Sequence, residues 1–314
     1  MDKASWFARA QGRREGRTRG RVADLLQNDV DGRSRSNCIA SEGTVVTTTD
    51  SASYAALDIR TISEHVREIA LIRPELANRV DAVLHRELTS ALHTLSDDGS
   101  VRAVVLSSQG KAFSAGGDFE LMEAAHRDGA ERRAIVTDGR RLMSAFFNLP
   151  QPIVAAVQGP AIGLGATVAL SCDAVVAAKS AYLADTHVKL GLVAGDGGCV
   201  VWPAAAGMLR ARRHLLTGEP LTAEAAFALG MVTDLVDDPA DVRDAAVSIA
   251  ESIAALAPLA VQGTKRALNR VTEQRAGEVL DLSFAYEEQT LASDDLLEGI
   301  AAFRERRAPI FRGV

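Results

Sequence analysis

Residues 110–119, GKAFSAGGDF, and residues 158–166, QGPAIGLGA, are the stretches on which the chain turns. Each follows an apolar run, VRAVVLSS from Val101 and PIVAAVQG from Pro152, that reads as a buried strand. Each then reads as a Gly-rich turn leading into a helix, where glycine supplies positive φ and close backbone approach. Two such turns can aim two backbone N–H groups at one point, and preorganised donors of that kind hold a developing oxyanion. Gly-rich strand-to-helix loops are also common in α/β proteins without that role, so either loop alone leaves both readings open.

Outward from these loops the apolar pattern supplies the rest of a mixed α/β chain. AALDIRT from Ala55 and HVREIALI from His65 read as two short strands divided by a polar turn. Residues 78–95 carry apolar positions at Val80, Leu84, Leu88, Leu92 and Leu95, the three-and-four spacing of an amphipathic helix. Residues 119–147 read as helical with a break at Asp128-Gly129, 163–171 as a short buried helix, and 173–178 and 182–184 as strands. After Gly195 strands nearly vanish apart from MVTDLV at Met231, and helices are expected over 207–216, 222–229, 240–256, 259–272, 275–290 and 294–305.

Of 314 residues, 47% are hydrophobic and 24% charged, a globular balance with room for one core of about 250 residues. Aromatics are only 4%, so the core is aliphatic. Residues 1–36 hold nine Lys or Arg against five Asp or Glu, and the rest of the chain carries about −10 of the net −6. Residues 1–50 lack sustained periodicity and read as a disordered Arg/Ser/Gly-rich tail, with 51–253 as the core and 254–314 as a C-terminal helical region. The interspersed Asp2, Glu15, Asp24, Asp29 and Asp31 argue against a transit peptide. Cys38, Cys172 and Cys199 form no CxxC pair, no apolar run reaches bilayer length, and a cytoplasmic protein is expected. His65, His85, His93, His126 and His214 lie in ordinary amphipathic patterns without metal-ligand context, so no metal is expected.

AFSAGGDF with QPIVAAVQGPAIGLGATVALSCD resembles the crotonase (enoyl-CoA hydratase/isomerase) superfamily, and AAFRERRAPIFRG looks like its closing signature. The likeness runs from about Ala56 to the C-terminus. It implies a spiral of ββα units, a C-terminal oligomerisation region, a homotrimer or homohexamer, and an acyl-CoA thioester substrate. Coenzyme A would arrive as part of that substrate, with no separate cofactor, no membrane and no nucleic-acid partner. By position the resemblance makes Gly117 and Leu164 the oxyanion donors and places Glu75, Ala77, Ala112 and Ala115 along the CoA, with Lys265 and Phe303 meeting it from the C-terminal region. Asp118 follows the first donor, where a helix N-cap or a loop brace is the plainer role.

Hydratases of this superfamily typically use two glutamates, and aligning the loops puts Thr167 and His187 in their places. What the chain offers instead is His187 and, nine residues on, Asp196 in a GDGG turn. A His near an Asp makes a general base with an orienting carboxylate. This stretch resembles the superfamily's β-diketone hydrolases, which cleave a C–C bond in a retro-Claisen reaction, and equally many bacterial enoyl-CoA hydratase-like proteins. Asp185 is another partner for His187, and Glu287 or Glu288 a further carboxylate. Asp196 as a mere helix cap and His187 as a hydrogen-bonded strand-end residue stay open, as does a non-catalytic CoA- or RNA-binding paralogue.

Overall fold

A computed structural model describes residues 54–314 of the chain; the expected tail and Cys38 lie outside them. Nine strands and ten α-helices follow in order among the described residues. Strands β1 (Leu57–Thr61), β2 (Val66–Leu71), β3 (Ala103–Ser108), β4 (Ile153–Val157), β6 (Ala174–Ala178) and β9 (Asp234–Val236) lie side by side in that order. The first pair is antiparallel and every later pair parallel. A parallel sheet is covered on both faces, which is why β3 and β4 read as unbroken apolar runs rather than alternating ones. A second sheet joins β5 (Ala161–Ile162), β7 (Tyr182–Ala184) and β8 (Leu221–Thr222).

Helix α1 (Ala82–Asp97) is started by Asp81, whose carboxylate accepts from the Val83 and Leu84 N–H groups, and it buries Leu84, His85, Leu88, Ala91, Leu92 and Leu95. The break expected at Asp128 is real. Helix α2 (Phe119–Arg127) ends there, and the Asp128 side chain caps α3 (Gly129–Asn148) by accepting from Ala130 N–H. Helix α4 (Leu164–Leu170) is buried along almost its whole length. Then come α5 (Gly198–Ala206), α6 (Met208–Thr217), α7 (Ala223–Ala228), α8 (Val242–Ala254), α9 (Pro258–Leu291) and α10 (Asp294–Glu305). Helix α8 packs on β3 and β4, while α9 packs against α3 and α5.

Two expectations need correction. The helices expected at 259–272 and 275–290 are one helix of 34 residues, α9. The divide expected at Glu273-Gln274 is absent, and Gly277 just beyond it costs only about 1 kcal/mol in a helix interior. The buried stripe of Ala276, Ser283, Phe284, Glu287 and Leu291 holds the helix through it. His187 does not end a strand: β7 stops at Ala184, and His187 opens a single 3-10 turn, His187–Leu190. Among the described residues no single helix is long and apolar enough to cross a membrane.

Candidate active site

The two Gly-rich loops are stitched to each other by their backbones. Phe113 and Ser114 N–H both donate to Pro160 O at 3.0 and 3.2 Å, and Ile162 N–H returns a bond to Ser114 O at 3.0 Å. The approach is close enough that a Cβ on Gly116, which has φ +86°, would stand 2.6 Å from Ile162 O. Gly163, at φ 52°, then turns the chain into α4. Leu164 is the first residue of that helix, so its N–H has no intrahelical acceptor. Among the described residues, neither the Gly117 nor the Leu164 N–H donates to a protein acceptor, and both residues line one small inner cavity of about 40 Å³. The first loop is also tied to residues 77–80: Ala115 N–H donates to Ala77 O at 2.9 Å and Val80 N–H to Gly116 O at 2.7 Å.

Facing these donors is a buried cluster drawn from three elements. Asp185, directly after β7, accepts from His187 Nδ1 at 2.8 Å, while His187 Nε2 lies 3.2 Å from Asp196 Oδ2. The imidazole therefore has a carboxylate at each nitrogen. It also sits beside the second Gly-rich loop, since a Cβ on Gly163 would be 3.5 Å from His187 Cε1. Glu287 comes from the middle of α9; its Oε2 and Asp196 Oδ1 are buried without a hydrogen-bond partner. Asp196, His187 and Glu287 all line the inner cavity with Gly117 and Leu164.

The protonation states follow from burial and from neighbours. Burial opposes charging His187, but Asp185 and Asp196 outweigh it and raise its pKa well above the ordinary value. Burial alone would raise Asp196; the His187 charge outweighs it, and the Asp196 pKa is lowered. Glu287 is raised well above the usual carboxylate range by burial and then by repulsion from Asp196. The surroundings thus favour the charged form of His187 and of Asp196 and the protonated form of Glu287. Cys199 is no competing nucleophile, because burial and the Asp185 and Asp196 charges push its thiol up to about 11.

His187 Nε2 and one oxygen each from Asp196 and Glu287 lie within 4.8 Å of one another, a donor set that could hold a cation.

The sequence-derived residues divide by location. Gly117, Leu164, His187, Asp196 and Asp118 line the inner cavity; Ala115 and Phe303 line an adjoining outer cavity of about 660 Å³, which meets the inner one at Gly117, Met122 and His187. Asp118 caps α2 by accepting from Leu121 N–H at 2.9 Å and pairs with Arg79 Nε at 2.5 Å. Ala112 O accepts from Asn78 Nδ2, and Glu75 is exposed in a 3-10 turn. Asp196 does not cap α5, whose N-cap is Gly197 without a side-chain bond. Thr167 is fully buried with its hydroxyl unpartnered and stands behind the cluster, next to Gly197. Lys265 is also buried, its ammonium donating to Gln151 O at 2.8 Å and pairing with Asp173 at 2.6 Å, and it lines neither of these two cavities.

Two site residues were weakly marked in sequence. Glu287 is a carboxylate at a buried position of the α9 stripe, and His85 is an imidazole at a buried position of α1. In each case the signal was a titratable residue where the helical period calls for an apolar one.

The parallel sheet with its two interlocked Gly-rich loops and C-terminal helices is a crotonase-like α/β fold. Comparison with known proteins agrees: the family model for enoyl-CoA hydratase/isomerase matches residues 61–314, and the chain belongs to that family. It is 35% identical over 260 residues to (E)-benzylidenesuccinyl-CoA hydratase of Thauera aromatica, covering 80% of this chain and 97% of the relative. It is 32% identical over 254 residues to 1,2-epoxyphenylacetyl-CoA isomerase of Escherichia coli, covering 80% and 97%. The crystal structure of an enoyl-CoA hydratase/isomerase from Mycobacterium paratuberculosis superposes with a TM-score of 0.75 at 37% identity, over 78% of this chain and 97% of that one.

Proposed function

We propose that the protein moves protons next to the thioester carbonyl of an acyl-CoA, holding the enolate oxygen on the Gly117 and Leu164 N–H groups. The observation that carries this reading is the inner cavity, lined by Gly117 and Leu164 with unpaired N–H groups and by Asp196 and Glu287, each of which has a buried oxygen without a hydrogen-bond partner. Backbone donors placed where the oxyanion forms are worth about 3 kcal/mol each. Relatives named as hydratases and isomerases of CoA thioesters support the substrate class.

Both nitrogens of His187 are engaged by carboxylates, so the free oxygen of Asp196, Oδ1, is the proton acceptor and His187 holds it in place. In isomerisation Asp196 takes the proton from C2, the electron pair runs to the thioester oxygen, and Glu287 returns a proton at C4. In hydration Asp196 takes a proton from water as its oxygen bonds to C3, and Glu287 protonates C2. One proton then passing from Asp196 to Glu287 restores the starting state. The thioester's long arm would lie in the outer cavity, along Ala115, Phe119, Phe303 and Phe311.

The His187–Asp196 contact also favours a second reading, in which the pair activates water for attack on a ketone and a C–C bond breaks to leave an enolate. Incubation with crotonyl-CoA, with 3-enoyl-CoA thioesters and with a panel of β-diketones separates the two. Thioester turnover that disappears in Asp196→Asn supports the first; diketone cleavage without CoA affinity replaces it with the second. The exposed apolar side chains Leu259, Leu268, Val271 and Leu282 along α9 support assembly into a homotrimer or homohexamer, measurable by sedimentation.

A further inference from the structure

Arg306 closes α10 in the left-handed conformation, at φ 55°, and the chain turns back along the helix it has just left. Residues 307–314 form neither helix nor strand and are all exposed, so apolar burial does little to fix them. They are held instead by two carboxylates of α10. Glu298 pairs through both oxygens with the Arg307 guanidinium and accepts from Ile310 N–H at 2.7 Å. Nearer the start of the helix, Asp295 accepts from Arg312 N–H at 2.7 Å and from Gly313 N–H at 2.8 Å. There the Ser293 side chain makes no capping bond, and Asp294 N–H donates to Val314 O at 2.8 Å.

Helix α10 is itself seated tightly on the 3-10 turn that begins at His187. A Cβ on Gly299 would stand 2.6 Å from Leu190 O, and one on Gly191 would stand 3.0 Å from Asp295 O. The helix is thus a fixed base, and the strap of residues 307–314 lies along it. Arg307, Pro309 and Phe311 of the strap line the outer cavity, which the 3-10 turn borders with Val188, Lys189 and Leu190. Neither Asp295 nor Glu298 lines that cavity. Their influence on a ligand there passes through the strap.

We propose that Asp295 and Glu298 are positioning residues that clasp residues 307–314 into one wall of the outer cavity before the thioester arrives. The inference rests on the acyl-CoA reading above and adds which groups set the hold on the coenzyme A arm. A strap without its clasp has to be ordered at the moment of binding, and that ordering entropy is subtracted from affinity. The effect falls on binding, which ground state and transition state share, and not on the proton transfers.

The test is calorimetric binding of butanoyl-CoA and of free CoA to the full chain, beside hydrogen exchange of the 308–314 backbone followed by mass spectrometry. In Asp295→Ala/Glu298→Ala those amides should exchange faster than in the native protein. Both ligands should then bind at least about tenfold more weakly, about 1.4 kcal/mol, with circular dichroism unchanged. Asp295→Asn/Glu298→Gln keeps an acceptor oxygen at each position and should recover part of the affinity and part of the protection. Equal exchange in native and double-alanine proteins overturns the clasp. Native affinity that survives in a folded double-alanine variant overturns the assignment and leaves the acyl-CoA reading standing. If that variant does not fold, Phe311→Ala decides: it should weaken both ligands at least about threefold, and unchanged binding overturns the wall. If neither ligand binds the native protein, the acyl-CoA reading fails and this inference with it.

Discussion

Glu68 and Glu287 are both buried glutamates, and their surroundings shift their pKa values in opposite directions. Glu68, on β2, is fully buried, and both oxygens are paired: Arg243 Nε and Ser107 Oγ at 2.7 Å to Oε1, and Arg243 Nη2 at 2.9 Å to Oε2. Burial alone would raise its pKa, but the Arg243 and Ser107 bonds outweigh burial and lower it. Glu287, nearly as buried, has an Oε2 without a partner, and burial together with the facing Asp196 raises its pKa well above the ordinary value. A buried carboxylate with every lone pair met by donors braces the fold. One denied its donors holds a proton that it can give away.

The sharpest way to break this contrast is to remove the Asp196 charge, which adds to burial in raising the Glu287 pKa. Asp196→Asn should lower kcat on the responsive thioester about 10³-fold, the scale of a lost general base. Near-native circular dichroism must accompany that loss; an unchanged kcat would remove Asp196 from the chemistry. At the structural site, Glu68→Ala should cost about 2 kcal/mol in urea unfolding and leave the kcat of the folded protein unchanged. That is less than the 3–5 kcal/mol of a pair buried on both sides, because the Arg243 side chain is 44% exposed.

The two glutamates should also mark opposite ends of the stability–pH curve. A raised carboxyl pKa gives stability that is complete below the ordinary carboxylate value and lost as pH rises through the folded-state pKa. A lowered one gives stability present above the ordinary value and lost as pH falls through the folded-state pKa. Glu287→Gln should therefore flatten the alkaline side and Glu68→Gln the acid side, each by at most about 1.4 kcal/mol per pH unit, in urea titrations across pH. Flattening on the wrong side would reverse the assignment.

Asp118 is the intermediate case, a buried, donor-paired carboxylate that nevertheless lines the cavity. If pairing decides, Asp118→Ala should cost about 1 kcal/mol of stability, as a lost helix cap does, and Asp118→Asn should restore most of it. In thioester assays the kcat of both variants should stay within about threefold of native. A drop of the Asp196→Asn size would place Asp118 with the reacting groups.

Much of this architecture was legible in the chain because its causes are local. Unbroken apolar runs marked β3 and β4, the glycines marked two tight loops, and Asp128-Gly129 marked the end of α2. The long helix α9 was misread at its middle because Gln274, Arg275 and Gly277 are exposed and interrupt the apolar stripe, although Glu273, Gln274, Arg275 and Ala276 are all good helix formers. The same limit applied to the site. His187 and Asp196 were reached through the family resemblance, but the roles proposed for them depend on Asp185 at the other nitrogen and on Glu287, 91 residues beyond Asp196 in the sequence.

By itself the sequence determined the family, the fold class and the loops bearing Gly117 and Leu164, because turn geometry and strand burial are written in neighbouring residues. Tertiary structure alone decided which carboxylate holds a proton, which nitrogen of His187 meets which aspartate, and that His85 faces the same cavity. Those are matters of burial and of distances between elements far apart in the chain, and a pKa responds to both.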